Sequence, residues 1–535
     1  MPSRRRTLLA ASALIAVAAL TVGCAAETSG TVPLVVGAQP GQDVVALPTD
    51  LDTAIENALA QVPELAQTLL DDSGVPGMAV AVVHGGVTIF AEGFGEKLVG
   101  SGEMVDAETV FQIASLSKSL AATTAAKAVT DGAITWDTPV IEELPEFTMS
   151  DPYVTENATI GDYFSHRSGL ATGSGDILED LGYDREYILA RLQLLPLAPF
   201  RTTYQYSNFG FTVGGEAVAA SVGMSWEDAA EQLLYEPLGM TSTSSRYADF
   251  VAQTDRATIH ALTQDGYQPL YERNPDAEAP AGSVSSNVID LAAWMNLVLA
   301  QGELDGEAYI APEALLAATS REVISSYPSS PEVRVGSYGY GFNIGSGASG
   351  RVRISHSGAF VLGTGTNYQL VPDLDLGIVV LTNGSPVGIA ESLTDEFLDL
   401  VQYGYLTRDW APGYEAVFAP YFIPAGDLVD ATRPTGAASS ASLTDYVGTY
   451  TNEYFGDLVV SIEGGILIGA MGPGGGYTFP LEEWDGDEFA FIPTGESAPE
   501  GSLSSAVFAR TDGAVTSVTM AYFDTQGWGT FARVG

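Results

Sequence analysis

Apolar positions fall in distinct rhythms along the chain. Over residues 51–71, Leu51, Ile55, Leu59, Val62, Leu65 and Leu69 recur at three- and four-residue intervals, which lays one apolar stripe along a helix. Met78-Ala-Val-Ala-Val-Val-His84 reads as a strand, Gly85-Gly86 as a two-residue hairpin turn and residues 87–94 as the return strand, because paired glycines supply the positive φ that such a turn needs. Residues 115–129 are rich in alanine and free of proline and glycine, and Asp131-Gly132 stops the run, so a helix is predicted there. Much later, residues 351–355 alternate as a strand that ends in His356-Ser357-Gly358. Residues 367–371 and 376–381 form a hairpin around Pro372-Asp373, and residues 389–403 return to helical spacing with Leu393, Phe397, Leu398 and Val401 on one face. Helix and hairpin at the start, and strands and helix at the end, bracket a long middle section. The pattern predicts an antiparallel sheet built from both ends of residues 51–410 and flanked by helices.

Residues 411–442 are dense in Ala, Pro, Gly and Ser with weak periodicity, and read as a surface linker. Over residues 443–535, short strand-like runs recur between turn residues: 458–462, 466–470, 488–492, 506–510, 515–522 and 530–534. That spacing predicts a small all-β barrel or sandwich. The fold class is therefore α+β followed by an all-β domain.

The N-terminus reads as an address. Arg4, Arg5 and Arg6 precede an apolar stretch over residues 8–22, too short for a membrane helix and typical of a signal peptide over residues 1–23. It ends Val22-Gly23-Cys24, which resembles a bacterial lipoprotein box with Cys24 as the lipidated residue. Residues 24–50 read as a flexible tether. The expected location is the cell envelope, with the membrane reached through the lipid anchor only; secretion as a soluble protein is the alternative.

Composition narrows the function. The 535 residues carry 21 Lys+Arg against 67 Asp+Glu, a formal net charge of −46. This excludes nucleic acid as a partner, since phosphate binding needs clustered cations. With 46% hydrophobic and 16% charged residues the chain is no disordered polyanion. Cys24 is the single cysteine, so neither a disulfide framework nor a cysteine zinc site is available. No His-Glu-x-x-His occurs, and no metal or cofactor is implied. Gly345-Ser-Gly-Ala-Ser-Gly350 matches a dinucleotide pattern, but a strand follows it where a helix is required. There are three lysines, Lys97, Lys118 and Lys127, so a lysine inside a motif carries weight.

Ser115-Leu-Ser-Lys118 places a hydroxyl and an amine at i and i+3, on one face of a helix. A lysine kept neutral by burial and by a helix N-terminus can take a serine proton and make a nucleophile of it. Tyr206-Ser-Asn208 adds a phenol able to shuttle a proton if a nearby cation lowers its pKa, and an amide able to hold both a substrate amide and the lysine. A second Tyr-x-Asn, Tyr450-Thr-Asn452, lies in the β-rich tail and is set aside. His356-Ser357-Gly358 offers a histidine at a strand end, with small residues that let substrate approach the backbone.

In this order, Ser-x-x-Lys, Tyr-x-Asn and His-x-Gly resemble the motifs of the serine β-lactamase and penicillin-binding-protein superfamily. Phe111-Gln-Ile-Ala-Ser-Leu-Ser-Lys118, Phe164-Ser-His-Arg-Ser-Gly-Leu170, Tyr204-Gln-Tyr-Ser-Asn208, Ala281-Gly-Ser-Val-Ser-Ser286 and Ile354-Ser-His-Ser-Gly358 carry the likeness. It is greatest to the class C β-lactamase-related branch, with its esterases, D-aminopeptidases and carboxypeptidase-like members. The resemblance implies an antiparallel sheet flanked by helices plus an all-helical lobe. From Tyr446-Val-Gly-Thr-Tyr450 onward the tail resembles the lipocalin-like domain often appended to that branch. Ser115 would be acylated, Lys118 would be its base and Tyr206 would pass the proton on. Asn208, Ser357 and Gly358 would hold substrate, His356 would replace the usual lysine of the third motif, and the backbone N–H groups of Ser115 and Ala359 would form the oxyanion hole. A small-molecule or short-peptide substrate is implied. True β-lactamases usually carry lysine at the His356 position, a permanent cation for a substrate carboxylate; histidine fits ester, amide or D-amino-acid peptide substrates better. A true β-lactamase, and an inactive surface protein that binds wall peptide or a partner, are the alternatives. If Tyr206 and His356 titrate in the reaction, activity rises toward neutral or alkaline pH.

Overall fold

Two short helices, α1 (Leu51–Leu59) and α2 (Val62–Ser73), stand where the spacing predicts a single helix. Pro63 in the first turn of α2 accounts for the break: it lacks an N–H and its ring clashes with the carbonyl four residues back. In the computed structural model, which describes residues 50–331 and 333–534, the predicted hairpin follows. β1 (Gly77–His84) and β2 (Val87–Gly95) are joined by Gly85 and Gly86 at φ 61° and 76°. The signal peptide, Cys24 and residues 24–49 of the tether lie outside the described residues. The long middle section holds α3 (Ser117–Thr130), α4 (Asn208–Ser221) and α5 (Val288–Leu299), with shorter helices between them. Then come β3 (Val323–Ser326), β4 (Gly336–Tyr338), β5 (Asn343–Ser346), β6 (Val352–Phe360), β7 (Thr364–Val371) and β8 (Leu376–Thr382). The helices α6 (Ile389–Tyr403) and α7 (Ala411–Phe418) follow them.

The eight strands form one sheet in the order β2-β1-β8-β7-β6-β5-β4-β3. The first strand pairs antiparallel with the last, Val80 opposite Val380, so both ends of this region close the sheet as predicted. β1 is apolar at nearly every position because both of its faces are covered. Met78, Val80 and Val82 share a core with Leu69 and Leu70 of α2 and with Leu393, Phe397 and Val401 of α6. Alternation turns Ala79 and Ala81 to the opposite face, where α5 packs on β1 and β8.

The described residues divide into two compact units. One holds residues 50–423 together with Gly495–Glu500, and the other holds residues 424–494 and 501–534. This redraws the predicted boundaries. A linker is expected from residue 411, but α7 buries Tyr414 and Phe418 and bonds the Tyr414 hydroxyl to Asp395 of α6. Apolar residues spaced four apart within an Ala-Pro-Gly-rich segment were enough for one anchored helix. Gly495–Glu500, far along the chain, belongs to the first unit: Asp180 accepts the N–H groups of Glu496 and Ser497 at 2.9 and 3.2 Å, and the Glu496 carboxylate accepts those of Val361 and Leu362 just after β6.

The second unit is a closed barrel of eight strands, two more than the sequence runs predict. The additional strands are Gly448–Asn452 and Tyr477–Asp485. The Tyr450-Thr-Asn452 motif set aside above lies in the first of them. Tyr450 is buried and donates its hydroxyl to the Tyr446 carbonyl at 2.7 Å.

Candidate active site

The nucleophile candidate sits in a strained turn. Helix α3 begins at Ser117, two residues later than the predicted helix, and a 3₁₀ turn over Ala114–Leu116 precedes it. Ala114 is held at φ 48°, in the left-handed region that costs a non-glycine residue energy. Within Phe111–Leu120 every residue is buried except Ser115, which is half-buried. The strain thus presents one hydroxyl to solvent from an otherwise closed segment.

Lys118, one turn on, is fully buried. Its Nζ lies 3.0 Å from Ser115 Oγ, 2.8 Å from Asn208 Oδ1 and 3.0 Å from the Ala281 carbonyl. Burial pushes its pKa down, opposed by the carboxylates of Glu278, Asp176 and Glu179. The oxygens of Asn208 and Ala281 can only accept, so a neutral Lys118 amine spends two N–H groups on them and turns its lone pair toward Ser115. Tyr206 donates its hydroxyl to Ser115 Oγ at 2.8 Å. Its proton is held firmly: burial raises the Tyr206 pKa well above that of free tyrosine. The lowering by a nearby cation suggested from sequence is overturned, because the cost of desolvating a phenolate dominates and the carboxylates of Glu278 and Asp176 add to it. One chain of donors results, from Tyr206 through Ser115 and Lys118 to Asn208 and Ala281, with each proton accounted for.

Asn208 is the first residue of α4, after Ser207 caps that helix by accepting the Gly210 N–H at 3.0 Å. Capping therefore fixes the Tyr-Ser-Asn segment.

His356 does not end its strand. β6 runs on to Phe360, and the motif lies where the pairing changes. β5 pairs with Val352–Ser355 and β7 with residues 354–360, so beyond Ser355 the β5-side edge of β6 has no strand partner among the described residues. His356 donates from Nδ1 to the Ser357 carbonyl at 2.7 Å, and its Nε2 accepts the Tyr338 hydroxyl at 2.8 Å. Burial, reinforced by Lys118, pushes its pKa down to about 3. His356 is therefore a neutral imidazole with both nitrogens occupied, and it does not titrate near neutral pH as suggested above. Gly358 is small for a different reason from the one given above. A Cβ there would lie 2.3 Å from Thr366 Oγ1, 2.4 Å from the Ile113 carbonyl and 3.1 Å from the Ser115 nitrogen. The glycine lets β6 close on the nucleophile turn. Ala359 follows it, opposite Gly365 of β7. The Ser357 hydroxyl accepts from Asn367 Nδ2 at 3.0 Å, so that side chain already has a protein partner.

Sequence reasoning missed several neighbours. His166 lies inside a quoted motif but is assigned no role from sequence; it packs its ring 4.4 Å from that of Tyr206 and accepts the Ser207 N–H at Nδ1. Glu278, Asp176 and Glu179 act on Lys118 through space, and Arg273 pairs with Glu179 and Glu278 at 2.7 and 2.9 Å. No local pattern marks these residues, since they converge only in the fold. Among the described residues no group of three or more His, Cys, Asp or Glu side chains is disposed to hold a metal ion.

Comparison with known proteins agrees with this arrangement. The Beta-lactamase family profile matches residues 62–399. The chain belongs to the β-lactamase family. A second profile, a domain of unknown function (DUF3471), matches residues 432–530. Among similar proteins of this family is penicillin-binding protein 4 of Amycolatopsis lactamdurans, 28% identical over 403 residues that cover 73% of this chain and 97% of that one. Another is an unguisins hydrolase of Aspergillus campestris, 26% identical over 414 residues, 73% of this chain and 75% of that one. A penicillin-binding protein homologue from Pyrococcus abyssi, described as octameric, shares the fold at a TM-score of 0.56 and 20% identity, over 89% of this chain and all of that one. The β-lactamase family assignment makes this chain a serine hydrolase of the β-lactamase, penicillin-binding-protein and esterase type.

Proposed function

We propose that the protein hydrolyses ester, amide or D-amino-acid peptide bonds through an acyl-enzyme at Ser115, at the cell envelope, anchored by a lipid on Cys24. The observation that carries the reading is the contact of Ser115 Oγ with Lys118 Nζ at 3.0 Å and the Tyr206 hydroxyl at 2.8 Å. As Ser115 attacks the carbonyl, its proton passes to Lys118, whose neutral, proton-accepting form burial makes more available. Tyr206, still protonated, donates to the leaving group, then takes a proton from the water that releases the acyl group. The backbone N–H groups of Ser115 and Ala359 hold the developing oxyanion, worth a few kcal/mol each in comparable enzymes (about 3). Asn208 keeps Lys118 in place. The neutral state of His356 favours this reading over a β-lactamase that grips a carboxylate with a fixed cation.

Labelling with a fluorophosphonate and with a fluorescent penicillin tests the reading. Covalent fluorophosphonate labelling, lost in Ser115→Ala, is expected, with turnover of p-nitrophenyl esters exceeding that of penicillins. Equal labelling of Ser115→Ala, or none of the wild type, would refute it and favour a binding protein.

A further inference from the structure

Behind Lys118 a group of buried acids gathers around one cation. Arg273 donates from Nη2 to Glu179 at 2.7 Å and to Glu278 at 2.9 Å, and the Glu496 carboxylate stands 4.0 Å from its Nε. Its backbone is fixed by the nucleophile segment, since Gln112, three residues before Ser115, donates from Nε2 to the Arg273 carbonyl at 2.8 Å. Asp176 and Asp180, on the helix that carries Glu179, border the same group. The carboxyls of Asp176, Glu179, Asp180, Glu278 and Glu496 thus share one guanidinium and the Lys118 amine, which leaves negative charge to spare. Glu278 acts most strongly on Lys118. It is 2% exposed and directly precedes the short helix Ala279–Gly282, whose Ala281 carbonyl accepts Lys118 Nζ at 3.0 Å. Residues three apart lie on one side of a helical turn, and the Glu278 side chain folds over Gly282: a Cβ there would meet Oε1 at 2.7 Å and Cδ at 3.0 Å. Arg273 takes Oε1, and Oε2 has no hydrogen-bond partner. The other groups facing Lys118 are Asp176 and Glu179, which act in the same sense, the neutral rings of His166 and His356, and the Tyr206 phenol, whose ring centre lies 4.6 Å from Nζ.

The reaction gives this charge a use. Ser115 Oγ bonds to the substrate carbonyl as its O–H bond breaks, and the proton goes to Lys118 Nζ, which turns a neutral amine into an ammonium. Asn208 and Ala281 accept its N–H groups but bring no charge, and a buried ammonium without a counter-charge is costly. Burial raises Glu278 to about 7, against the pull of Arg273 and Lys118 and with the help of Asp176 and Glu496. Its carboxylate is therefore present at the pH near 8 where Lys118 becomes basic.

We propose that Glu278, anchored by Arg273, is the counter-charge to the Lys118 ammonium that forms as Ser115 is acylated, a positioning residue that acts through the lysine. This rests on the hydrolase reading of Ser115. The charge has two opposed effects: it keeps the resting amine protonated to a higher pH, and it stabilises the ammonium once the serine proton has moved.

The test follows p-nitrophenyl acetate turnover by the full chain as a function of pH. Glu278→Gln keeps the shape and removes the charge. The rising limb of its kcat/KM profile is expected to move to lower pH by about one pH unit, and kcat on the plateau to fall about tenfold. Glu278→Asp keeps the charge and is expected to keep the limb at its wild-type position. A residue that only fills space would lower kcat in both variants and move the limb in neither. Asp176→Asn, whose Oδ1 has no partner to lose, is expected to move the limb the same way by less, and carries the test if Glu278→Gln does not fold. In the wild type the limb is expected to hold its position between about 0.05 and 1 M salt, because a buried pair is little screened. An unmoved limb in folded Glu278→Gln, an equal displacement in Glu278→Asp, or a wild-type limb that moves to lower pH with salt, which would assign the effect to the exposed acidic surface, overturns the counter-charge. Fluorophosphonate labelling of Ser115 in the same samples separates the two readings: labelling with an unmoved limb removes the role of Glu278 alone, and no labelling of the wild type removes the hydrolase.

Discussion

Ser115 is reactive because of what surrounds its proton. Its Oγ accepts from a tyrosine that holds its proton firmly and faces an amine that burial drives toward neutrality. With the Lys118 pKa lowered to about 8, the basic amine gains population as pH rises. We expect kcat/KM to climb from pH 6 toward about 8 and then level, with no additional limb from His356, whose pKa lies near 3. A pH-rate profile of ester hydrolysis checks this; a falling profile over that range contradicts it. Removing the proton donor isolates its role. Tyr206→Phe keeps the ring against His166 and Lys118 but removes the hydroxyl, so kcat should fall about a hundredfold or more with unchanged thermal stability, measured by steady-state kinetics beside a melting curve.

The third motif works as part of a strand. β6 continues past its β5 partner, and Gly358 allows it to press against the turn that carries Ser115. Two of the three atoms that a Cβ at Gly358 would meet belong to the backbone and cannot rotate away. Gly358→Ala should cost about 1–3 kcal/mol of stability and displace the nucleophile turn. Thermal unfolding and the rate of Ser115 labelling should therefore fall together, whereas unchanged labelling would show that β6 does not support the turn. α7 shows the converse: a segment whose composition reads as linker is held as structure by Tyr414 and Phe418.

Acidity is a property of the whole chain, with 67 Asp+Glu against 21 Lys+Arg, and part of it is buried. Burial raises Asp176, Glu391, Glu396 and Glu496 to about 7 and Glu179 to about 8. These carboxyls bind protons more tightly folded than unfolded, where they titrate near 4. The stability they lend is full below about pH 4 and is lost as pH rises through 7 to 8. Asp162, paired with Arg167 and Arg201, is shifted the other way and sets a limit only at strongly acid pH. Melting temperature should therefore be higher at pH 6 than at pH 8.5, as calorimetry at the two pH values would read; a higher value at pH 8.5 would contradict it.

Local information determined much of this protein. The hairpin at Gly85-Gly86, five of the eight strands of the sheet, the helix after Ser115 and the three motifs are encoded in short runs, because periodicity, turn chemistry and i,i+3 spacing act over a few residues; the short strands β3, β4 and β5 carry no such signal. The identity of Ser115, Lys118, Tyr206, Asn208 and His356 as neighbours followed from their motifs. Their electrical states did not. Whether Lys118 is a base, Tyr206 an acid and His356 neutral depends on desolvation and on charges that arrive from distant segments, among them Glu278 and Asp176. The fold alone drew Gly495–Glu500 into the catalytic unit. Burial is a property of packing between remote parts of the chain, and no window of sequence contains it.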